Sequence, residues 1–154
     1  MKVYLAGYIQ GAKIEECIAW RKQIRDYYKV RDWPITFLDP LNGKEINTIS
    51  KDGLTSHVAP NAILHRDFKS VMDCDIVVVN MDTFGEDRPL TGTICELAWA
   101  WEHHKPILMI TGEPKYLRHP FLLNFSSMIF PTVEKLLEDK GINYFFKGTV
   151  SADY

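Results

Sequence analysis

The stretch whose reading decides the fold begins at Ile76-Val77-Val78-Val79. It runs through the polar segment 81–90 into Thr91-Gly92-Thr93-Ile94-Cys95-Glu96-Leu97-Ala98-Trp99-Ala100. Four consecutive β-branched residues read as a strand covered on both faces, the habit of parallel sheets. Gly85 and Pro89 break the chain, and Ile94, Leu97, Ala98 and Trp101 then recur at helical spacing over residues 92–104. Strand, glycine-containing turn and helix form the unit from which α/β proteins build ligand sites. The helix N-terminus there offers unpaired N–H groups and a positive dipole end. One carboxylate, Glu96, falls about a turn into this helix.

Working outward, the same alternation recurs. Residues 2–6 form an apolar run ending at Gly7, an opening strand. Ile14, Cys17, Ile18, Ile24 and Tyr28 keep to one helical face. Residues 35–38 follow Pro34 as a strand that stops at Asp39-Pro40. Residues 41–58 show no clear period and read as a long loop, a kind of segment usually tied to function or an interface. Pro60 opens a helix in which Leu64, Phe68, Val71 and Met72 share a face. Residues 106–110 are a further strand, 127–130 a short fifth one, and 132–140 a closing helix stopped at Gly141. The tail 142–154 ends with Phe145, Phe146 and Tyr154 and is unusually apolar.

Alternating strands and helices imply parallel βαβ units with right-handed crossovers. The expected fold is α/β, a Rossmann-like or flavodoxin-like three-layer sandwich on a parallel sheet of roughly five strands. Ligands in such sheets bind outside the carboxyl ends of the strands, where the loops 7–11, 81–93 and 111–124 converge. At 154 residues the chain reads as a single domain, 1–154.

Bulk properties exclude several classes. A net charge of −2 argues against a nucleic-acid-coating surface. No apolar run reaches the roughly 20 residues that span a bilayer, and the N-terminus does not read as a signal peptide. Cys17, Cys74 and Cys95 lack CxxC spacing, which fits a reducing cytoplasm and neither a disulfide framework nor a zinc site. His57, His65, His103, His104 and His119 have no metal-binding spacing, so no metal or cofactor is expected. GxSxG and Walker A motifs are absent.

Each candidate residue has a bland reading beside the chemical one. Thr93-x-x-Glu96 matches a capping box, which would make Glu96 a structural cap. Against that, Thr91, Gly92 and Thr93 leave room for a ligand, and a second carboxylate, Asp67, lies on the preceding helix. Two carboxylates about 5 Å apart suit retaining glycosyl chemistry, although Asp67 alone could be a solvated helix residue. Gly7-Tyr8-Ile9-Gln10-Gly11 is not a full GxGxxG and reads as a turn that lets backbone approach a ligand. Asp39 and Asp75 sit at strand ends as structural caps. Arg21, Arg66, Arg88 and Arg118 could each meet a phosphate, but arginines are usually solvated.

Together these residues resemble the nucleoside 2-deoxyribosyltransferase family and its nucleotide N-glycosidase relatives. The resemblance rests on Tyr4-Leu-Ala-Gly-Tyr8, on Trp20-Arg21 with Phe37-Leu-Asp-Pro40, on the block from Arg66-Asp67 to Asn80, and above all on Leu90 to Ala100. His119-Pro-Phe-Leu122 and Val133-Glu-Lys-Leu136 complete it. It implies a pentosyltransferase-type enzyme in which Glu96 attacks the anomeric carbon of a 2′-deoxynucleoside and Asp67 assists. Tyr4, Gly7 and Tyr8 would line the sugar and base pocket, and a free nucleobase or water would complete the reaction. It also implies a homo-oligomer whose sites are completed by a neighbour, with Asn124 and Tyr154 as candidates. Leu90 stands where the best-known branch has an Asp that reads the base, which leaves base preference open. Thr91 and Thr93 could hold a 5′-phosphate, so a nucleoside 5′-monophosphate hydrolase is an alternative. A nucleotide-binding sensor without turnover is another.

Overall fold

In a computed structural model of the chain, five parallel strands, Thr36–Leu38, Lys2–Gly7, Ile76–Asn80, Ile107–Ile110 and Met128–Phe130, lie side by side in that order. The structure describes residues 1–9, 11–42, 46–50, 53–56, 59–87 and 89–146. The elements in chain order are β1 (Lys2–Gly7), α1 (Ile14–Val30), β2 (Thr36–Leu38), β3 (Ile46–Ser50), β4 (Gly53–Ser56), α2 (Pro60–Asp73), β5 (Ile76–Asn80) and α3 (Thr91–Glu102). They continue with β6 (Ile107–Ile110), α4 (Pro114–Leu117), α5 (Pro120–Phe125), β7 (Met128–Phe130) and α6 (Val133–Glu138), and a 3₁₀ turn spans Ile142–Phe145.

The sheet sorts its side chains by parity, as a pleated strand must. Val3, Leu5, Ile76, Val78, Leu108 and Ile110 face a core built with Trp20, Ile24 and Tyr28 of α1 and Leu136 and Leu137 of α6. Tyr4, Ala6, Val77, Val79, Ile107 and Met109 face the opposite core, with Val71 of α2, Leu97 and Ala100 of α3 and Leu122 of α5. This is the expected three-layer sandwich. The strand order turns back at β1, which pairs with β2 on one side and β5 on the other. Their carboxyl ends form the topological switch point where such sheets bind ligands.

Two segments expected as loops carry structure. Within 41–58, β3 and β4 pair antiparallel as a separate two-stranded sheet. A register shift between Ile46 and Thr48 interrupts the pairing. Such an irregularity breaks the period-two pattern by which a strand is recognised, although Ile46, Thr48, Ile49 and Thr55 favour extended backbone. The segment 111–124 contains α4 and α5, each opened by a proline at its first turn.

Helix phasing also departs from expectation. In α3 the buried residues are Thr93, Glu96, Leu97 and Ala100, while Trp101 is 53% exposed. In α2 the inward side is Ile63, Asp67, Ser70 and Val71, with Leu64 and Phe68 exposed. Phe68 instead packs edge-on against Trp99, ring centroids 5.2 Å apart. On each helix a carboxylate turns inward and part of the expected apolar face turns out, while Val71, Met72, Ile94 and Leu97 pack on the core as expected.

Candidate functional site

The phase of α3 carries Glu96 to Tyr4. The Tyr4 hydroxyl donates to Glu96 Oε1 at 2.7 Å, and both residues are buried. The capping-box reading of Glu96 fails on helix position. The helix begins at Thr91 with Leu90 as N-cap, so Thr93 is already inside it and no side chain caps this end. Glu96 is the sixth residue of the helix, beyond the reach of the first-turn amides that a capping box serves.

Asp67 enters from α2 on the same side of the sheet. Burial pushes the Tyr4 phenol well above its ordinary range, and the negative charges of Glu96 and then Asp67 push it further. Tyr4 is therefore a proton-retaining donor that senses both carboxylates, and three separate elements bring Tyr4, Asp67 and Glu96 together. The remaining candidates divide. Tyr8 is buried at the carboxyl end of β1. Gly7 has φ of +156°, and a Cβ there would stand 3.0 Å from both Asn80 O and Trp20 Cζ2. The turn thus needs glycine for both conformation and clearance. Thr91 and Gly92 are exposed on the first turn of α3, with open space where a Gly92 Cβ would be, and Thr93 is buried. Asn124 is exposed on α5 and donates its amide to Pro120 O, so no bond draws it into the cluster. Tyr154, Arg88, His57 and the segment 147–154 lie outside the described residues.

Arg21 overturns the expectation of a solvated arginine: it is completely buried. Desolvation lowers its pKa and the Asp39 charge opposes that effect. A guanidinium stays protonated in such a setting, so a full positive charge sits behind the cluster. The signal was its place on the inward face of α1, with Cys17, Trp20, Ile24 and Tyr28. Asp39 does cap the turn after β2, accepting from Leu41 N, and Asp75 accepts from Lys2 N, both as expected.

A cleft of about 550 Å³ opens elsewhere, between α1, the ends of β5 and β6 and the start of α6. It is lined by Trp20, Asn80, Thr111 and Glu134 among others, and Tyr4, Asp67 and Glu96 are not part of it. Tyr4 and Glu96 thus lie on the other side of the sheet from this cleft. Among the described residues, no group of three His, Cys, Asp or Glu could hold a metal ion, and no helix is long and apolar enough to cross a membrane.

The model of the nucleoside 2-deoxyribosyltransferase family matches residues 3–145. The uncharacterized protein YtoQ of Bacillus subtilis (strain 168) is 28% identical over 154 residues, covering 94% of this chain and 96% of YtoQ. Among solved structures, the CMP N-glycosidase BcmB of Clostridium botulinum superposes with a TM-score of 0.58 at 16% identity, covering 93% of this chain and 99% of that one. The 2-deoxyribosyltransferase of Leishmania mexicana gives 0.51 at 19% identity, over 73% of this chain and 65% of its own. At these identities the two structures speak for the fold.

Proposed function

The chain belongs to the nucleoside 2-deoxyribosyltransferase family, and from that premise we propose that it cleaves and transfers the N-glycosidic bond of 2′-deoxynucleosides through a covalent sugar ester on Glu96. The observation that carries the reading is the buried Tyr4–Glu96 hydrogen bond. A carboxylate held by one strong donor and placed at a sheet's switch point is oriented as a nucleophile must be.

In the first step a Glu96 carboxylate oxygen forms a bond to the anomeric carbon as the bond to the base nitrogen breaks. The base leaves with the bonding electrons and takes a proton from Asp67 in its acid form. Positive charge that develops on the sugar ring is stabilised by the carboxylates around it. In the second step a free base, or water, attacks the same carbon from the vacated face, returns its proton to Asp67 and frees Glu96. Two inversions give net retention. Tyr4 keeps its proton throughout, because burial and the nearby carboxylates oppose its ionisation, and it fixes the rotamer of Glu96. In a homo-oligomer the exposed Asn124 would complete the site of a neighbouring copy; Tyr154, the other candidate for that role, lies outside the described residues.

A second reading draws on the first turn of α3. Thr91 and Gly92 are exposed there and no side chain caps the helix. An N-terminus of this kind suits a 5′-phosphate, which would make the substrate a nucleoside monophosphate and water the acceptor.

The test is a panel of deoxynucleosides and their 5′-monophosphates, incubated with and without a free base, with base release and exchange followed by chromatography. Exchange that depends on added base supports transfer. Release from monophosphates alone moves the assignment to the hydrolase, and silence across the panel leaves a nucleotide-binding sensor.

A further inference from the structure

Among the described residues no strand flanks the carboxyl half of β1 on its β2 side, and Arg21 occupies that place. Strand β2 has three residues and pairs only Lys2 to Tyr4 with Thr36 to Leu38. On β1, Lys2 O accepts from Asp75 N beside β5, and Met1 O accepts from Thr36 N at β2. Carbonyls alternate along a strand, so those of Leu5 and Gly7 point to the β2 side, where β2 has already ended. Arg21 fills the gap. Its Nε donates to Leu5 O at 3.3 Å and its Nη2 to Gly7 O at 3.2 Å, while Nη1 donates to Cys17 O at 2.7 Å. Two N–H groups of one guanidinium thus meet the two carbonyls that a continued β2 would have met.

The anchor is itself held. Arg21 stacks on Trp20, its guanidinium carbon 4.4 Å from the ring centroid. Asp39, the first residue after β2, sets Oδ1 3.5 Å from Arg21 Nε and accepts from Arg25 through Oδ2. From the other side of the sheet, Arg66 donates to the carbonyls of Asp39 and Pro40. Arg66 is the neighbour of Asp67, so one network, with the Arg21–Asp39 pair buried at its centre, ties together the strand that carries Tyr4 and the helix that carries Asp67. Stability alone is a poor reason for such a network. A buried ion pair roughly breaks even against a well-packed apolar pair, because desolvation offsets its attraction. What it supplies is fixed geometry.

We propose that Arg21 and Asp39 are positioning residues for the reaction, the guanidinium standing in for the missing part of β2 and thereby holding Tyr4 and the Gly7 turn in register with Glu96 and Asp67. The proposal rests on the N-glycosidic reading of the site and deepens it. Neither residue touches the substrate. Their loss therefore acts on kcat through misplacement, which at a catalytic group reaches a hundredfold for about 1 Å, and not on substrate affinity.

The test compares full-length wild type with Arg21→Lys, Arg21→Gln and Asp39→Asn, in steady-state kinetics on the best substrate of the panel and in amide hydrogen exchange. The expected result is a kcat lowered about a hundredfold in Arg21→Gln and about tenfold in Arg21→Lys and Asp39→Asn, with KM within twofold of wild type. Lysine keeps the charge but cannot span three carbonyls, so its rescue is partial. Exchange at residues 5–8 should rise in all three variants while β6 stays protected. Folded Arg21→Gln with wild-type kcat would overturn the proposal, as would losses that fall on KM or match the lost folded fraction. If Arg21→Gln does not fold, Asp39→Asn decides by the same criteria. A wild type silent on every substrate condemns the functional reading by itself. Exchange then still decides whether Arg21 holds the strand, and unchanged exchange at residues 5–8 sinks that claim too.

Discussion

Tyr4 and Glu96 are 92 residues apart in sequence and 2.7 Å apart in space, hydroxyl to carboxylate. The bond joins β1 to α3 beneath the switch point, and Glu96 is 8% exposed. Removing the donor leaves a buried acceptor short of a hydrogen bond, which costs about 1–3 kcal/mol. Tyr4→Phe should therefore lower the melting temperature by several degrees. It should also lower kcat by about 10- to 100-fold, since the nucleophile loses its orientation. A melt and a rate on one preparation check both, and an unperturbed kcat would show that the bond serves only the fold.

Glu96 itself is tested by Glu96→Gln, which keeps the shape and an oxygen to accept from Tyr4 but cannot form the sugar ester. The expected outcome is turnover reduced by about three orders of magnitude or more, with nucleoside binding retained in a calorimetric titration. Residual activity near wild type would remove the covalent mechanism, whatever the variant's stability.

Buried groups on both faces of the sheet govern behaviour at high pH. Burial and neighbouring carboxylates raise the Tyr4 phenol, burial raises the Tyr28 phenol, and burial raises the Cys74 thiol to about 11. In each case the folded state holds a proton that the unfolded state gives up at lower pH. The stabilisation is present below the unfolded values, near 9 for the thiol and 10 for the phenols, and is lost as pH rises through the folded ones. Denaturant melts should show stability falling above about pH 9, more shallowly in Tyr28→Phe, where one of the three groups is gone. A flat alkaline limb in wild type would contradict the burial of these groups.

Much of this was legible in the sequence, and most of what was missed has one cause. The parallel sheet and its strands follow from unbroken β-branched runs, which only a doubly covered strand tolerates. The blocks that contain Asp67 and Glu96 led to the expectation of a carboxylate pair, and the structure turns both residues toward the sheet face that carries Tyr4. Helix phase was not. Reading α2 and α3 by apolar residues alone puts Leu64, Phe68 and Trp101 inside, whereas the structure turns Asp67, Thr93 and Glu96 inward and leaves those three exposed. Arg21 was missed for the same reason, although it shares the inward face of α1 with Cys17 and Ile24. On each helix a polar residue at core spacing displaces the apolar phase, and local rules fail where a site is being built. The β3–β4 hairpin escaped notice for another reason, the irregular pairing near its start.

The choice between nucleoside and nucleotide turns on Thr91, the first residue of α3. It is exposed, beside Gly92, on a helix of 12 residues without a side-chain cap. A 5′-phosphate at this end would meet first-turn amides, the dipole and the Thr91 hydroxyl together. Replacing Thr91 by Val keeps the branched shape and removes one hydrogen bond to a charged group, worth about 1.5–3 kcal/mol. For a monophosphate substrate, KM in Thr91→Val should rise by roughly 10- to 150-fold, the same free energy at 1.4 kcal/mol per decade. For a nucleoside it should stay within about twofold. The two substrates assayed side by side thus separate the readings within one variant. A rise for both would place Thr91 against the sugar, and no change for either would put the phosphate elsewhere or rule it out as part of the substrate.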